Sequence, residues 1–325
     1  MMKILVYGSL NIDRTYSVPH FVRSGETLAA ARMELFCGGK GFNQVVALAR
    51  AGADPAIAGA VGSDGDFLLD PLKAENIDIS RIKRTSVASG HAIIQVDEEG
   101  RNCIIILAGA NGEIGPADIT SVLADFGEGD VLVLQNEISS LDCLIEQASR
   151  KKMSVVLNAS PITPSLLSLD LSRVDYLLVN ETEAAALAGE NAESQDFQTI
   201  LSHLAVRYPA ANILLTLGRR GALFREKDGT ETACGIYPVK AVDSTAAGDT
   251  YTGYFLAEYL VSRNAALAMR KAAIASGLSV SRKGASPSIP FMQAFSHNAG
   301  QTLPVNSGKL LVLISLEKAC CIWSA

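Results

Sequence analysis

Short apolar runs alternate with amphipathic stretches along most of this chain. The runs at 4–7, 56–60, 131–135, 155–158, 176–179 and 213–217 are continuous, which predicts strands buried on both faces. Between them, 43–51, 141–151 and 181–188 carry apolar residues at helical spacing. Strands separated by helices imply an α/β fold: a doubly wound, mostly parallel sheet with helices on both faces. Ligands of such sheets bind beyond the carboxyl ends of the strands. Polar clusters follow several of the runs, namely Gly8-Ser9-Leu10-Asn11-Ile12-Asp13, Gln135-Asn136-Glu137, Asn158-Ala159-Ser160 and Asn180-Glu181-Thr182-Glu183. One crevice could gather them all.

Two segments break the alternation. Residues 91–96 and 103–107 flank Asp97-Glu98-Glu99-Gly100 and read as a β-hairpin. Residues 15–18 and 29–36 supply further extended stretches. A small sheet of this kind, projecting from an α/β body, would make a lid, a dimer surface, or both. After Ser286-Pro287-Ser288-Ile289-Pro290 the pattern lapses, and the tail ends in an apolar run with Cys320, Cys321 and the only Trp. It reads either as an extra element docked on the body or as an aberrant end.

Composition narrows the class. The 325 residues are 48% hydrophobic and 19% charged, as in globular proteins. A net charge of −6 without any long Lys/Arg run argues against nucleic-acid or anionic-membrane partners. No apolar run is long enough to span a bilayer. Residues 1–8 read as a buried strand entering a Gly turn rather than a secretory leader. The six cysteines (Cys37, Cys103, Cys143, Cys234, Cys320 and Cys321) form no CxxC pair, and the four histidines lack metal-ligand spacing. Reduced thiols and a cytoplasmic location are expected.

The strongest chemical signal is Val242-Asp243-Ser244-Thr245-Ala246-Ala247-Gly248-Asp249-Thr250-Tyr251-Thr252-Gly253. A turn of small residues that opens a helix presents free N–H donors and the positive end of the helix dipole, a site for phosphate. Asp249 beside such a site could take a proton from an attacking hydroxyl, or could simply cap the helix. Gly38-Gly39-Lys40-Gly41-Phe42-Asn43-Gln44 is a second glycine cluster, either a close approach to a ligand or a tight turn before a helix starting near Asn43. It is not a Walker A loop, and no G-x-G-x-x-G follows the first strand, so nucleotide binding of the P-loop or nicotinamide type is disfavoured. Asn11 and Asp13 share one side of an extended segment and suit sugar hydroxyls, or form an Asx turn. Glu137 has the same double reading. Glu181 and Glu183 open a helix, where they could hold hydrated Mg²⁺ or merely satisfy the dipole. Thr216-Leu217-Gly218-Arg219-Arg220-Gly221 is a Gly-bounded turn that could lie along a nucleotide.

Together these motifs resemble the ribokinase-type sugar kinases of the large carbohydrate and nucleoside kinase family, over about residues 3–290. The resemblance implies a ribokinase-like kinase domain at 1–291, with a lid from about 12–36 and 88–108 and an atypical tail at 292–325. It implies transfer of phosphate from ATP to the 5-hydroxyl of D-ribose. Asn11, Asp13, Gly39, Lys40, Asn43 and Glu137 would then bind the sugar, with Asp249 as base. Ala246, Ala247 and Gly248 would form an anion hole, and Asn180, Thr216, Gly218, Gly221 and Gly248 would line the ATP site. Glu183 would act on Mg²⁺ through water. K⁺ would sit at Asp243, Thr245, Ser279, Arg282, Gly284 and Ser288, partly through carbonyls. A homodimer through the lid is also implied. Ser279 and Arg282 replace expected small apolar residues, and Thr252 stands where Asn is expected. Rival readings are a kinase of another pentose, deoxyribose or a nucleoside, and a catalytically silent sugar-binding protein.

Overall fold

A computed structural model of the chain describes residues 2–190, 196–295 and 305–306. The first strands are β1 (Ile4–Tyr7), β2 (Asn11–Ser17) and β3 (Arg32–Gly38), followed by α1 (Lys40–Arg50) and β4 (Pro55–Val61). Then come α2 (Asp66–Ala74), β5 (Asp78–Arg84), β6 (Gly90–Val96), β7 (Asn102–Leu107), α3 (Pro116–Leu123) and β8 (Val131–Gln135). The middle of the chain forms α4 (Leu141–Arg150), β9 (Ser154–Asn158), α5 (Pro164–Leu167), β10 (Tyr176–Asn180) and α6 (Glu181–Ala188). It ends with α7 (Phe197–Arg207), β11 (Asn212–Thr216), β12 (Ala222–Arg225), β13 (Glu231–Cys234), α8 (Ala247–Ser262), α9 (Ala265–Val280) and β14 (Val305–Asn306).

The large sheet runs β14-β13-β12-β11-β10-β9-β8-β1-β4-β5, parallel from β11 to β5 and antiparallel beyond β11. The antiparallel end was not legible in the sequence. Strands β12 and β13 are short and joined by turns rather than by crossover helices. The expected doubly wound core is present. In β1, Ile4 and Val6 pack with α1, α2, α8 and α9, while Leu5 and Tyr7 pack with α3 to α7 on the opposite face. Chain order reverses between β1 and β8, so the crevice beyond their carboxyl ends is the expected ligand position.

The small sheet runs β3-β2-β6-β7. The expected hairpin is β6–β7, and the expected 15–18 and 29–36 stretches become the longer pair β2–β3 in full register. Only three residues separate β1 from β2, so the small sheet springs directly from the floor of the crevice.

Helix α1 starts at Lys40, three residues earlier than the apolar pattern suggested. Gly39 takes φ 90°, a conformation that favours glycine, and a Cβ there would lie 2.8 Å from the Ser9 carbonyl oxygen. The glycine cluster is therefore the helix start itself. At the other end Arg50 pairs with Glu75 and donates to the carbonyls of Ser286 (2.9 Å) and Ile289 (2.6 Å). The strap ties the loop after α9 to α1. Beyond residue 295, only β14 of the expected atypical tail is described; Cys320, Cys321 and Trp323 lie outside the described residues. Among the described residues Cys37, Cys103, Cys143 and Cys234 form no disulfide.

Candidate functional site

Helices α1 and α8 cross with Gly253 against Ala47, where a Cβ on Gly253 would stand 2.4 Å from that of Ala47. This close approach brings the first turns of both helices together. Asn43 Nδ2 donates to Asp249 Oδ2 (3.1 Å), and Gln44 Nε2 donates to Asp249 Oδ1 (2.9 Å). Asp249 is buried, and its side chain is held by another helix rather than bonded across its own N-terminus. The capping reading of Asp249 falls.

The β1–β8 crevice supplies the neighbours. Ser9 Oγ and the Lys40 N–H (3.1 Å) both donate to Glu137 Oε2, and the Gly41 N–H donates to Ser9 Oγ (3.3 Å). Asn11 Oδ1 accepts from Asn111 Nδ2 (2.8 Å), and Asn111 Oδ1 also accepts the Leu10 N–H (3.1 Å). Asp13 lies over Gly38, whose missing Cβ would come within 2.0 Å of its carboxylate. Burial, then the charges of Glu137 and Asp249, push the Asp13 carboxyl up to about 7. Burial opposes the charge on Lys40, but Asp249, Glu137 and Glu183 outweigh it and hold its ammonium above the ordinary value. Asn11, Asp13, Gly39, Lys40, Asn43, Glu137 and Asp249 thus form one neighbourhood, as the sequence reading expected.

A cleft of about 1270 Å³ opens beside it, bounded by Asp13 on the small sheet and by Ala247 and Gly248 at the start of α8. Asn180, Thr216, Gly218 and Gly221 also face this cleft, beyond the ends of β10 and β11. Gly221 has φ 94°, and a Cβ would meet the Cys234 carbonyl oxygen at 2.1 Å, so the turn admits only glycine. Asn180 and Glu183 make a reciprocal capping box: Asn180 Oδ1 takes the Glu183 N–H and Glu183 Oε2 takes the Asn180 N–H, each at 2.9 Å. Glu183 thus caps the start of its own helix. Ala246 is left-handed at φ 59°, and the Ala247 N–H turns back to the Ser244 carbonyl (3.2 Å). A Cβ on Gly248 would meet nothing within 4 Å, so space lies open above the helix end.

The remaining residues also converge. Asp243 Oδ1 accepts from the Thr245 N–H (2.9 Å) and Oγ1 (2.6 Å), while Oδ2 accepts the Gly284 N–H (3.0 Å). Burial would raise this carboxyl, but those hydrogen bonds hold it below its ordinary value. Ser279 Oγ meets Ser288 Oγ at 2.7 Å, and the Arg282 N–H donates to the Ser279 carbonyl (3.0 Å). Among the described residues no cluster of three or more His, Cys, Asp or Glu side chains could hold a metal, and no helix is long and apolar enough to cross a membrane. Ser9, Asn111 and Gln44 escaped sequence reasoning as site residues. Each is a lone hydroxyl or amide whose partner lies far along the chain, and only their place in or next to glycine-containing stretches hinted at them.

The family model for pfkB family carbohydrate kinases matches residues 1–292. A ribokinase of Haemophilus influenzae is 34% identical over 300 residues, spanning 89% of this chain and 96% of that protein. A deoxyribokinase of Salmonella typhi is 32% identical over 303 residues, covering 91% and 98% respectively. A crystal structure of ribokinase from Cryptococcus neoformans var. grubii serotype A in complex with ADP superposes with TM-score 0.80 at 30% identity, covering 92% of this chain and all of that one. The mixed sheet, its helical layers and the small second sheet match that architecture. The chain belongs to the pfkB family of carbohydrate kinases and is an ATP-dependent sugar kinase.

Proposed function

We propose that this sugar kinase phosphorylates the 5-hydroxyl of D-ribose, with Asp249 as general base. The observation that carries this reading is the buried Asp249 carboxylate, aimed by Asn43 and Gln44 between a polar crevice and a cleft that opens over a helix N-terminus. Asn11, Asp13, Gly39, Lys40, Asn43 and Glu137 bind the sugar, and Asn180, Thr216, Gly218, Gly221 and Gly248 line the ATP site. As the hydroxyl oxygen bonds to the γ-phosphorus, its proton passes to Asp249 and the bond to the bridging oxygen of ADP breaks. The amides of Ala246, Ala247 and Gly248 face the developing charge, with that of Ala247 released from Ser244.

Mg²⁺ enters with ATP and neutralises phosphate charge; a single carboxylate such as Glu183, reached through water, suits an ion that keeps most of its hydration. The donors around Asp243 suit K⁺, since Thr245, Ser279, Arg282, Gly284 and Ser288 offer carbonyl and hydroxyl oxygens with one carboxylate among them. A cation held there would order the loop that leads into α8. The kinase unit is 1–291, with the small sheet (12–36 and 88–108) as its lid, and the enzyme works in the cytoplasm. Strand β7 supports a homodimer through the lid: Ile104, Ile105, Ile106 and Leu107 are 48–62% exposed along one edge strand. Light scattering at twice the chain mass checks this.

The deciding experiment is ADP release with Mg-ATP and D-ribose, deoxyribose, other pentoses and nucleosides at matched concentration, in K⁺ and in tetramethylammonium. Ribose-dependent turnover, raised by K⁺, is the expected result. Preference for another acceptor would move the specificity, and silence with all of them would favour a sugar-binding protein.

Asp13 makes sugar binding pH-dependent. An ionised Asp13 accepts hydroxyl donors freely, so the sugar favours the charged form and binding releases a proton. KM for ribose is expected to rise by up to about tenfold per pH unit as pH falls below about 7. The sugar-free protein has the opposite slope. Its raised carboxyl pKa stabilises the fold at low pH, and that contribution is lost as pH rises from the ordinary carboxylate range through about 7. A flat KM profile between pH 6 and 8.5, or one unchanged in Asp13→Asn, would refute the linkage.

A further inference from the structure

Two buried amides stand in line behind Asp249, and the chemistry proposed above gives the second of them, Gln135, no part. Gln44 Nε2 donates to Asp249 Oδ1 at 2.9 Å, and Gln135 Nε2 donates to Gln44 Oε1 at 2.8 Å. Both glutamines are fully buried, one on α1 and one at the end of β8. The direction of this chain is fixed by charge. An ionised carboxylate only accepts, so Gln44 must turn its NH₂ toward it, and its oxygen then needs a donor on the far side. Gln135 supplies that donor. Its own Oε1 finds no donor among the described residues and rests against Gly8, where a Cβ would come within 2.1 Å. A buried carbonyl without a donor is costly, and an apolar pair of the same shape would avoid the cost. The arrangement aims at the carboxylate instead of minimising its own energy.

We propose that Gln44 and Gln135 are positioning residues for phosphoryl transfer, Gln44 fixing the plane of the Asp249 carboxylate and Gln135 keeping Gln44 from turning its oxygen toward it. With Oδ1 held by Gln44, Oδ2 beside Asn43 is the atom presented to the sugar hydroxyl. This inference rests on the assignment of Asp249 as base.

A double-mutant cycle tests it, with kcat and ribose KM measured for each variant and the thermal midpoint confirming folded protein. Gln44→Met is expected to lower kcat by about tenfold to a hundredfold with KM within about threefold of the parent, the signature of a misaimed base. Gln135→Met touches nothing on Asp249, yet kcat should fall about fivefold, and the double variant should be no slower than Gln44→Met alone. Should Gln44→Met not fold, Gln135→Met carries the test by its kcat and KM. Losses that multiply in the double variant, or kcat within about twofold of the parent in Gln135→Met, would overturn the relay. Asp249→Asn run alongside separates the two claims. If it retains parental kcat, the base assignment falls and the relay with it. If it collapses while both glutamine variants turn over normally, only the relay falls.

Discussion

Replacing Asp249 by Asn is expected to lower kcat by about a thousandfold while ribose affinity stays within about threefold. General-base assistance contributes roughly 10²–10⁴ in rate, and an amide of the same shape cannot accept the hydroxyl proton. The site should tolerate the change in other respects. The Gln44 amide can still donate to the remaining oxygen, and Asn43 can turn its own oxygen, which has no partner among the described residues, to the new NH₂. Calorimetric titration with ribose and single-turnover phosphoryl transfer measure the two quantities separately. A variant with more than about a tenth of parental kcat would remove Asp249 from the chemistry, and lost ribose binding would make its role one of recognition.

The second large effect is expected at Gly253→Val. At this position a Cβ would lie 2.4 Å from Ala47 Cβ and 2.9 Å from the α1 backbone at Ala47 C and Leu48 N. Backbone cannot swing aside as a side chain does, so α1 and α8 must separate along the contact. Overpacking of this kind costs about 3 kcal/mol or more. The displaced helices also carry Asn43, Gln44 and Asp249, so the folded fraction should turn over slowly. A urea or thermal melt reads the stability. A midpoint within about 2 °C of the parent, for a chain of this size, would show that the contact has slack.

How much of this was written in the sequence depends on what each residue reports locally. Strands such as Val131–Gln135 were legible because five consecutive apolar or buried positions suit only a doubly covered sheet. Strand β5, Asp78–Arg84, was not, because its edge position leaves it mostly polar and partly exposed. The start of α1 was misplaced since glycines disfavour helix interiors, and only Gly39, at a positive φ that favours glycine, reveals that the helix begins there. At the site, Asp249 was visible beside small residues at a helix start, but its choice between cap and base was not. The cap is set aside by Asn43 and Gln44, which hold the carboxylate in place of its own helix terminus, Gln44 from 205 residues away. Gln135 stood out only as part of a polar cluster after a strand: an amide at the end of a buried strand looks like any strand terminus until its partner is known.

The short tether between β1 and β2 has a consequence for how such a kinase can change over time. On the proposed sugar set, Asn11 and Asp13 belong to a small sheet that is nearly a separate accessory, while Lys40, Asn43, Glu137 and Asp249 belong to the body. Substitutions in β2, β3 or β6 could therefore redraw the acceptor's outline and leave the donor half untouched. Descendants of such a chain can exchange one sugar for another by drift in a few strands, without passing through an ancestor that has lost the ability to cleave ATP.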